Sequence, residues 1–291
     1  MESLTKSNQA ELLLSGALFF LTVFLFGPAT LWLVEQTILH DQLMHAFIIL
    51  GFAGVYLMME NREKLSLVLS FGNRSTTLLM MSFLVLALTT ITHWSPLILI
   101  AYCLAIAGWL LFIFGERLAR FVLALLSAFV GYVFLALFFP IFDWPLRAMA
   151  GQYAAELLNV LGHQVETIIA HSDEPKLLMF VDGYPFEVAA ECNGFGMIAS
   201  CILLSILLVY YRKIAIIDKI LAFAFSALIG SIFNLSRILV ICLLAPYFRD
   251  HYLVMHEIIG NLFFWGALAL VWWMVRGLGD QDSRSKKTNG K

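Results

Sequence analysis

Residues 191–211 read ECNGFGMIASCILLSILLVYY, a polar tetrapeptide followed by seventeen residues without a charge. A run of about 17–25 predominantly apolar residues can cross a hydrocarbon core about 30 Å thick as a helix, so Phe195–Tyr211 reads as a membrane helix that begins beside a thiol. Two further runs follow it. Ile220–Ala245 carries Asn234-Leu235-Ser236-Arg237 in its interior, and Val254–Val275 opens with His256-Glu257-Ile258-Ile259-Gly260. A thiol, a guanidinium and an imidazole therefore sit toward the same end of three consecutive apolar segments.

The rest of the 291-residue chain has the same character. It is 61% hydrophobic and 13% charged, against about 45–50% and about 25% in soluble domains. Five earlier segments, Leu12–Val34, Leu43–Met59, Thr77–Thr92, Pro96–Phe114 and Phe121–Phe142, bring the total to eight. The expected fold is an all-α polytopic membrane protein with about eight transmembrane helices. The third segment is short and joins the fourth through His93-Trp94-Ser95, which leaves a re-entrant hairpin as the alternative there. Residues 1–276 read as a single membrane domain, with no repeat or linker. The stretch 277–291, rich in Ser, Lys, Asp and Gly, reads as a disordered tail. Glu2, Lys6 and Glu11 precede an apolar run without a small-residue cleavage site, as in a retained signal anchor. The net charge of −2 includes no like-charge block that suggests nucleic acid as a partner.

Lys and Arg in short flanks set orientation. With the N-terminus cytoplasmic, fourteen basic residues fall inside and only Arg147, Lys176 and Arg249 outside, with Arg237 left within a helix. Both termini are then cytoplasmic and the 143–193 insertion is extracytoplasmic. Within that insertion Met149, Tyr153, Leu157, Val160 and Leu161 recur at helical spacing, the pattern of an amphipathic helix lying on the outer membrane face or packed on the bundle. Leu177–Val188 reads as a β-hairpin turning at Asp182-Gly183, a pair suited to positive φ.

This orientation puts Cys192 and His256 at the outer ends of their helices. Arg237 lies nine residues below Pro246, about 13 Å at 1.5 Å per residue, and a side chain pointing up the helix recovers part of that depth. An ionisable residue inside a membrane helix costs roughly 2.5–3.5 kcal/mol on insertion scales, so Arg237 faces a bundle interior or a cavity. Cys103, Cys201 and Cys242 lie inside apolar runs as small hydrophobes, whereas Cys192 borders a polar loop. A thiol becomes nucleophilic as its thiolate, which a helix N-terminus or a cation favours. Asn193 or Cys192 itself fits as the N-cap of the helix that follows. Glu187 and Glu191 oppose that effect. Gly194 and Gly196 let a substrate backbone or another helix approach, and Gly260 suits close helix packing. His256 fits a general base and acid, Arg237 an oxyanion stabiliser, and Asn234 a group that orients the guanidinium or binds substrate backbone. A metal is not expected. Gly260 stands where a zinc-protease helix needs its second His, and His163, His171 and His251 lack ligand spacing. No Gly-x-Ser-x-Gly element supports serine chemistry, and no cofactor is expected.

With Glu191-Cys192-Asn193-Gly194, Asn234-x-x-Arg237 and His256 in order, and the hairpin before the Cys, the chain resembles the exosortase/archaeosortase family over Leu177–Val275. The first five segments match in general character. The resemblance implies a multi-pass prokaryotic cell-membrane protein acting as a cysteine transpeptidase or protease, with Cys192, Arg237 and His256 as its catalytic residues. The implied partners are exported proteins ending in a sorting tail (a short motif, a membrane helix and a basic end), the lipid bilayer, and a glycan or lipid acceptor. The family often has Ala before the Cys and Ser after it, where this chain has Glu191 and Asn193. Two readings from other classes stand beside this one: a transporter or polysaccharide-export component whose Arg237 binds an anionic solute, and an assembly scaffold.

Overall fold

The computed structural model describes residues 6–63, 68–92, 96–115, 118–170, 176–188, 194–212 and 215–288. In chain order these form α1 (Lys6–Leu39), α2 (Asp41–Glu60), α3 (Asn73–Thr92), α4 (Pro96–Phe114), α5 (Ala119–Val160), β1 (Val165–Ala170), β2 (Lys176–Val181), β3 (Tyr184–Val188), α6 (Phe195–Tyr211), α7 (Ile216–Leu244) and α8 (Tyr252–Thr288). Among the described residues seven helices are long and apolar enough to cross a membrane, and α6, at 17 residues, is a shorter apolar helix beside them. The chain is a multi-span, all-α membrane protein carrying one small sheet. α3 and α4, with 20 and 19 residues, are each long enough to span. α8 continues to Thr288, through most of the stretch whose composition suggests disorder.

Two compact units divide the chain: Met1–Gln36 with Leu65–Val122, and Thr37–Lys64 with Leu123–Lys291. In the first, α3 and α4 pack so closely that a Cβ on Gly108 would stand 2.7 Å from Leu79 Cγ. The Ser75 hydroxyl donates to the Gly108 carbonyl at 3.0 Å, and the Trp109 indole donates to the Thr22 hydroxyl at 3.2 Å.

The second unit holds the candidate site, and α6 runs through it with no exposed residue between Phe195 and Tyr211. α2, α7 and α8 pack around α6, and Gly131 of α5 brings that helix against Leu203 and Ile206. At one end the Asn61 amide of α2 donates to the Tyr211 hydroxyl of α6 at 2.9 Å, and Arg212 beside α6 donates to the Arg276 carbonyl of α8 at 3.1 Å. The finishing ends of α2 and α6 thus lie together with the Arg276 level of α8, so the three run parallel and their starting ends meet at the other end of the unit. α7 returns between them. Neighbouring helices cover most of the circumference of α6, and the row Ile198, Ile202, Ile206 and Tyr210 is half-buried.

α5 differs from the expected pattern. The fifth apolar segment and the amphipathic stretch after it form one 42-residue helix that runs through Pro140 and Pro145. Such prolines are tolerated where neighbouring groups satisfy the freed carbonyls. The apolar stripe of Met149, Tyr153, Leu157 and Val160 is exposed, and the opposite face, with Gly151, Ala154, Ala155 and Leu158, packs on the sheet. A Cβ on Gly151 would stand 2.5 Å from Leu177 Cδ2, so the Leu177 side chain packs directly on the helix at that glycine. The helix closes with Gly162 at φ +96, where His163 N donates to Leu158 O and Gly162 N to Asn159 O, both at 3.0 Å. That is the paired 6→1 and 5→2 pattern of a glycine-terminated helix.

The expected hairpin is β2 and β3, with Val181 opposite Tyr184 and a turn at Asp182 (φ 52) and Gly183 (φ +84). β1 adds a strand that the sequence reading did not contain, giving the antiparallel order β1-β2-β3. Asp182 pins the turn to the end of α5, accepting from Gln164 N at 2.8 Å and pairing with His163 Nδ1 at 2.6 Å. Those bonds, the His163 one foremost, hold the Asp182 carboxyl below its ordinary range. One face of the sheet, with Leu177, Met179, Val181 and Val188, is buried against Ala154 and Leu158 of α5 and Ile238 and Cys242 of α7.

Two outcomes test this packing. A Cβ on Gly230 of α7 would stand 2.9 Å from Ile198 Cα, a backbone atom that cannot swing aside, whereas Gly51 has nothing within 4 Å. Thermal unfolding in detergent should show Gly230→Ala destabilised by roughly 1–3 kcal/mol and Gly51→Ala unchanged or improved. Because folding lowers the Asp182 pKa, its contribution is present above the unfolded-state value and is lost as pH falls through the folded one. Amide exchange should therefore show β2 and β3 losing protection in acid, and Asp182→Asn should remove that acid-dependent step.

Candidate active site

The start of α6 decides where the site lies. Its N-cap is Gly194, at φ 81, and not Cys192 or Asn193, which with Glu191 lie outside the described residues. The correction has a steric cause. The left-handed conformation favours glycine, and a Cβ on Gly194 would stand 2.7 Å from Asn234 Nδ2. Asn234, 4% exposed, is thereby held on α7 directly behind the first turn of α6. One turn further, a Cβ on Gly196 would stand 3.1 Å from Gln42 Cα of α2. Of the two partners open to these glycines, substrate backbone or a neighbouring helix, the structure shows the helix at both.

Asn234, Arg237 and His256 line one cavity of about 420 Å³, together with Gly196 at the start of α6. Arg237 is half-buried, and its guanidinium lies against Gly260, where a Cβ would meet Cζ, Nε and Nη2 at 3.3 Å. The close packing expected at Gly260 is thus packing on the arginine. His256, also half-buried, lies beside the Tyr252 ring one turn earlier, with ring centroids 5.9 Å apart. It also borders a second, open groove of about 650 Å³ between β3 and the start of α8.

The opposite wall of the cavity comes from α2, which the sequence reading left out of the site. Asp41, Gln42 and His45 line it from the first turns of that helix. Glu257 and Asn261 add polar groups from α8, and Phe264, whose ring lies 5.7 Å from that of His45, closes its apolar side. The signal was present as His40-Asp41-Gln42 and His45, a polar cluster opening the second apolar segment. One cation, two carboxylates and two imidazoles thus surround a space suited to polarising a carbonyl and moving a proton. Among the described residues no three His, Cys, Asp or Glu side chains come together to hold a metal ion. His163, which lacks ligand spacing, instead secures the hairpin turn. His171 lies outside the described residues.

With this geometry in place, comparison with known families is specific. The model described as Transmembrane exosortase (Exosortase_EpsH) matches residues 32–273, more than four fifths of the chain. The chain belongs to the transmembrane exosortase family. No curated protein and no solved structure matches it. The match covers α2 to most of α8, so every wall of the cavity falls inside the exosortase region.

The Gly194–Asn234 contact gives a test of the site's frame. Gly194→Ala combines a left-handed backbone, which costs a non-glycine residue about 1–3 kcal/mol, with a clash against Asn234. Asn234→Ala should return the clash part and leave the backbone part. A double-mutant cycle read by thermal unfolding should therefore give a favourable coupling of about 1 kcal/mol or more between the two substitutions.

Proposed function

We propose that this exosortase-family protein is a cysteine transpeptidase or protease that removes a C-terminal sorting tail from exported proteins at the outer face of the cell membrane. The observation that carries the reading is the joining of Arg237 and His256, from different helices, in one cavity that reaches Gly196. Cys192 precedes Gly194 by two residues, so chain geometry alone keeps its Cα within about 7 Å of that of Gly194. The basic residues, fourteen against three, support cytoplasmic termini and a cavity that opens outward.

Each group has a step. The positive end of the α6 dipole and the Arg237 charge favour the Cys192 thiolate. The thiolate attacks the carbonyl carbon of the scissile peptide bond, and Arg237 donates to the oxygen that becomes negative. His256, carrying the thiol proton, delivers it to the leaving amine as the C–N bond breaks, leaving a thioester on Cys192. An acceptor amine or hydroxyl, or water, then attacks the thioester, loses its proton to His256 and frees the sulfur. Asn234 positions the first turn of α6 and faces the cavity where substrate backbone would lie. The substrate tail, a short motif before a membrane helix and a basic end, puts its scissile bond at the depth of such a cavity.

Co-expression with a tailed exported protein tests the reading, with mass spectrometry of that protein's new C-terminus. Cys192→Ala should abolish processing, and Arg237→Ala and His256→Ala should each lower it by about 10²-fold or more. A membrane-impermeant thiol reagent added to intact cells should label Cys192. Tail removal that survives Cys192→Ala would sink the mechanism.

A further inference from the structure

The groove beside β3 has a feature that the chemistry above does not use. β3 is an outer strand in the order β1-β2-β3. Across a two-residue turn, Val181 and Tyr184 form a hydrogen-bonded pair, and so do Met179 with Phe186 and Leu177 with Val188. The alternate residues, Pro185 and Glu187, turn their backbone groups away from β2. Pro185 has no N–H to lose there, the position an edge strand tolerates. Glu187 offers both an N–H and a carbonyl, and Pro185 a carbonyl, along the side that borders the groove.

The facing wall is the turn from α7 into α8, with Pro246, Arg249, Tyr252 and Leu253. At one end Arg249 lies over the Tyr184 ring at 4.6 Å and donates to its hydroxyl, which fixes the width of the entrance. The groove also reaches His256, which lines the cavity of Arg237 as well. At about 650 Å³ it is within the range of small-ligand pockets, about 300–1,000 Å³. Outward backbone donors and acceptors at strand spacing, beside an apolar wall, match an extended peptide, because main-chain pairing is what an added strand supplies. A lipid chain would leave them unmatched, and a sugar's hydroxyls do not repeat at strand spacing.

We infer that this groove holds the segment of a substrate protein immediately before its scissile bond, as an added strand on β3 running between the Arg249–Tyr184 end and His256. This rests on the peptide-cleaving reading and assigns it a binding site. The main-chain pairing gives affinity without regard to sequence, and the pockets between Tyr184, Pro246 and Leu253 select the side chains of the recognition motif.

The test separates binding from catalysis by using the full-length Cys192→Ala protein in cells, co-expressed with an exported protein carrying the three-part tail. Benzoylphenylalanine is placed singly at Pro185, at Leu253, or at Ile168 on the far strand β1 as a control, and cross-links are mapped by mass spectrometry. The expected result is cross-links from Pro185 and Leu253 to residues directly preceding the tail helix, and few from Ile168. In the protein with Cys192 intact, Glu187→Pro removes one outward N–H and should lower the processing rate by about fivefold. Exchange protection of the Met179 amide, which pairs with β3, reports that the hairpin is retained. Equal cross-linking from Ile168, no cross-link from either groove position to a protein that the unsubstituted chain processes, or an unchanged rate in Glu187→Pro with Met179 protected, overturns the proposal. Groove cross-links to a protein that is never processed support the groove and overturn only the chemistry assigned to Cys192.

Discussion

The site depends on how closely helices approach α6. Inside a bilayer, moving a side chain from lipid to a helix interface gains little hydrophobic free energy, because the lipid is already apolar. Association then rests on van der Waals contact, and contact is densest where a side chain is missing. Gly196 admits the backbone of Gln42, and Gly230 admits the backbone of Ile198, each at a distance no Cβ would permit without a shift. These contacts fix α2 and α7 on two sides of α6 near its first turns. α6 is short and has no exposed residue, while its neighbours have the length of membrane spans.

The same economy of side chains governs the polar groups. A guanidinium within a membrane bundle is costly unless it is held in a cavity with compensating groups. Gly260 clears the space that lets Arg237 lie flat against α8, and Asp41, Glu257 and the imidazoles share its cavity. Substituting Gly260 would therefore act on the arginine before it acted on helix packing. The polar end of the second unit is organised by glycines as much as by charges.

The membrane segments were legible because their signal is local: run length and the absence of charge suffice. The hairpin was legible for a similar reason, since Asp182-Gly183 states its own turn. β1 was not, because Val165–Ala170 becomes a strand only by pairing with β2, whose residues follow it in the chain. The continuity of α5 was hidden by the polar break at Asp143 and Arg147, with Pro145 between them, which ends the apolar run but not the helix. Of the cavity, Asn234, Arg237 and His256 were legible because each lies toward the same end of its apolar segment, and one cavity joins them. The part played by Asp41 and His45 could not, since a sequence gives the depth of a helix end but not which helices are neighbours. Cys192 lies outside the described residues, so its place rests on the chain on either side.

That chain is held twice by one helix. Val188, the last residue of β3, is 3% exposed in a cluster with Ile238 and Cys242 of α7, and Gly194 is seated on Asn234 of the same helix. Asn234, Ile238 and Cys242 recur every four residues, which places them in one row along α7 about 6 Å apart. The row acts as a ruler: its upper part seats the end of the sheet, its lower part seats the start of α6, and Arg237 projects beside it. The five residues from 189 to 193 bridge the two seats, a gap of about 6–12 Å along the helix that an extended chain covers in fewer residues. The sheet therefore presents an edge beside His256 while its last strand ends on the same helix that seats the start of α6.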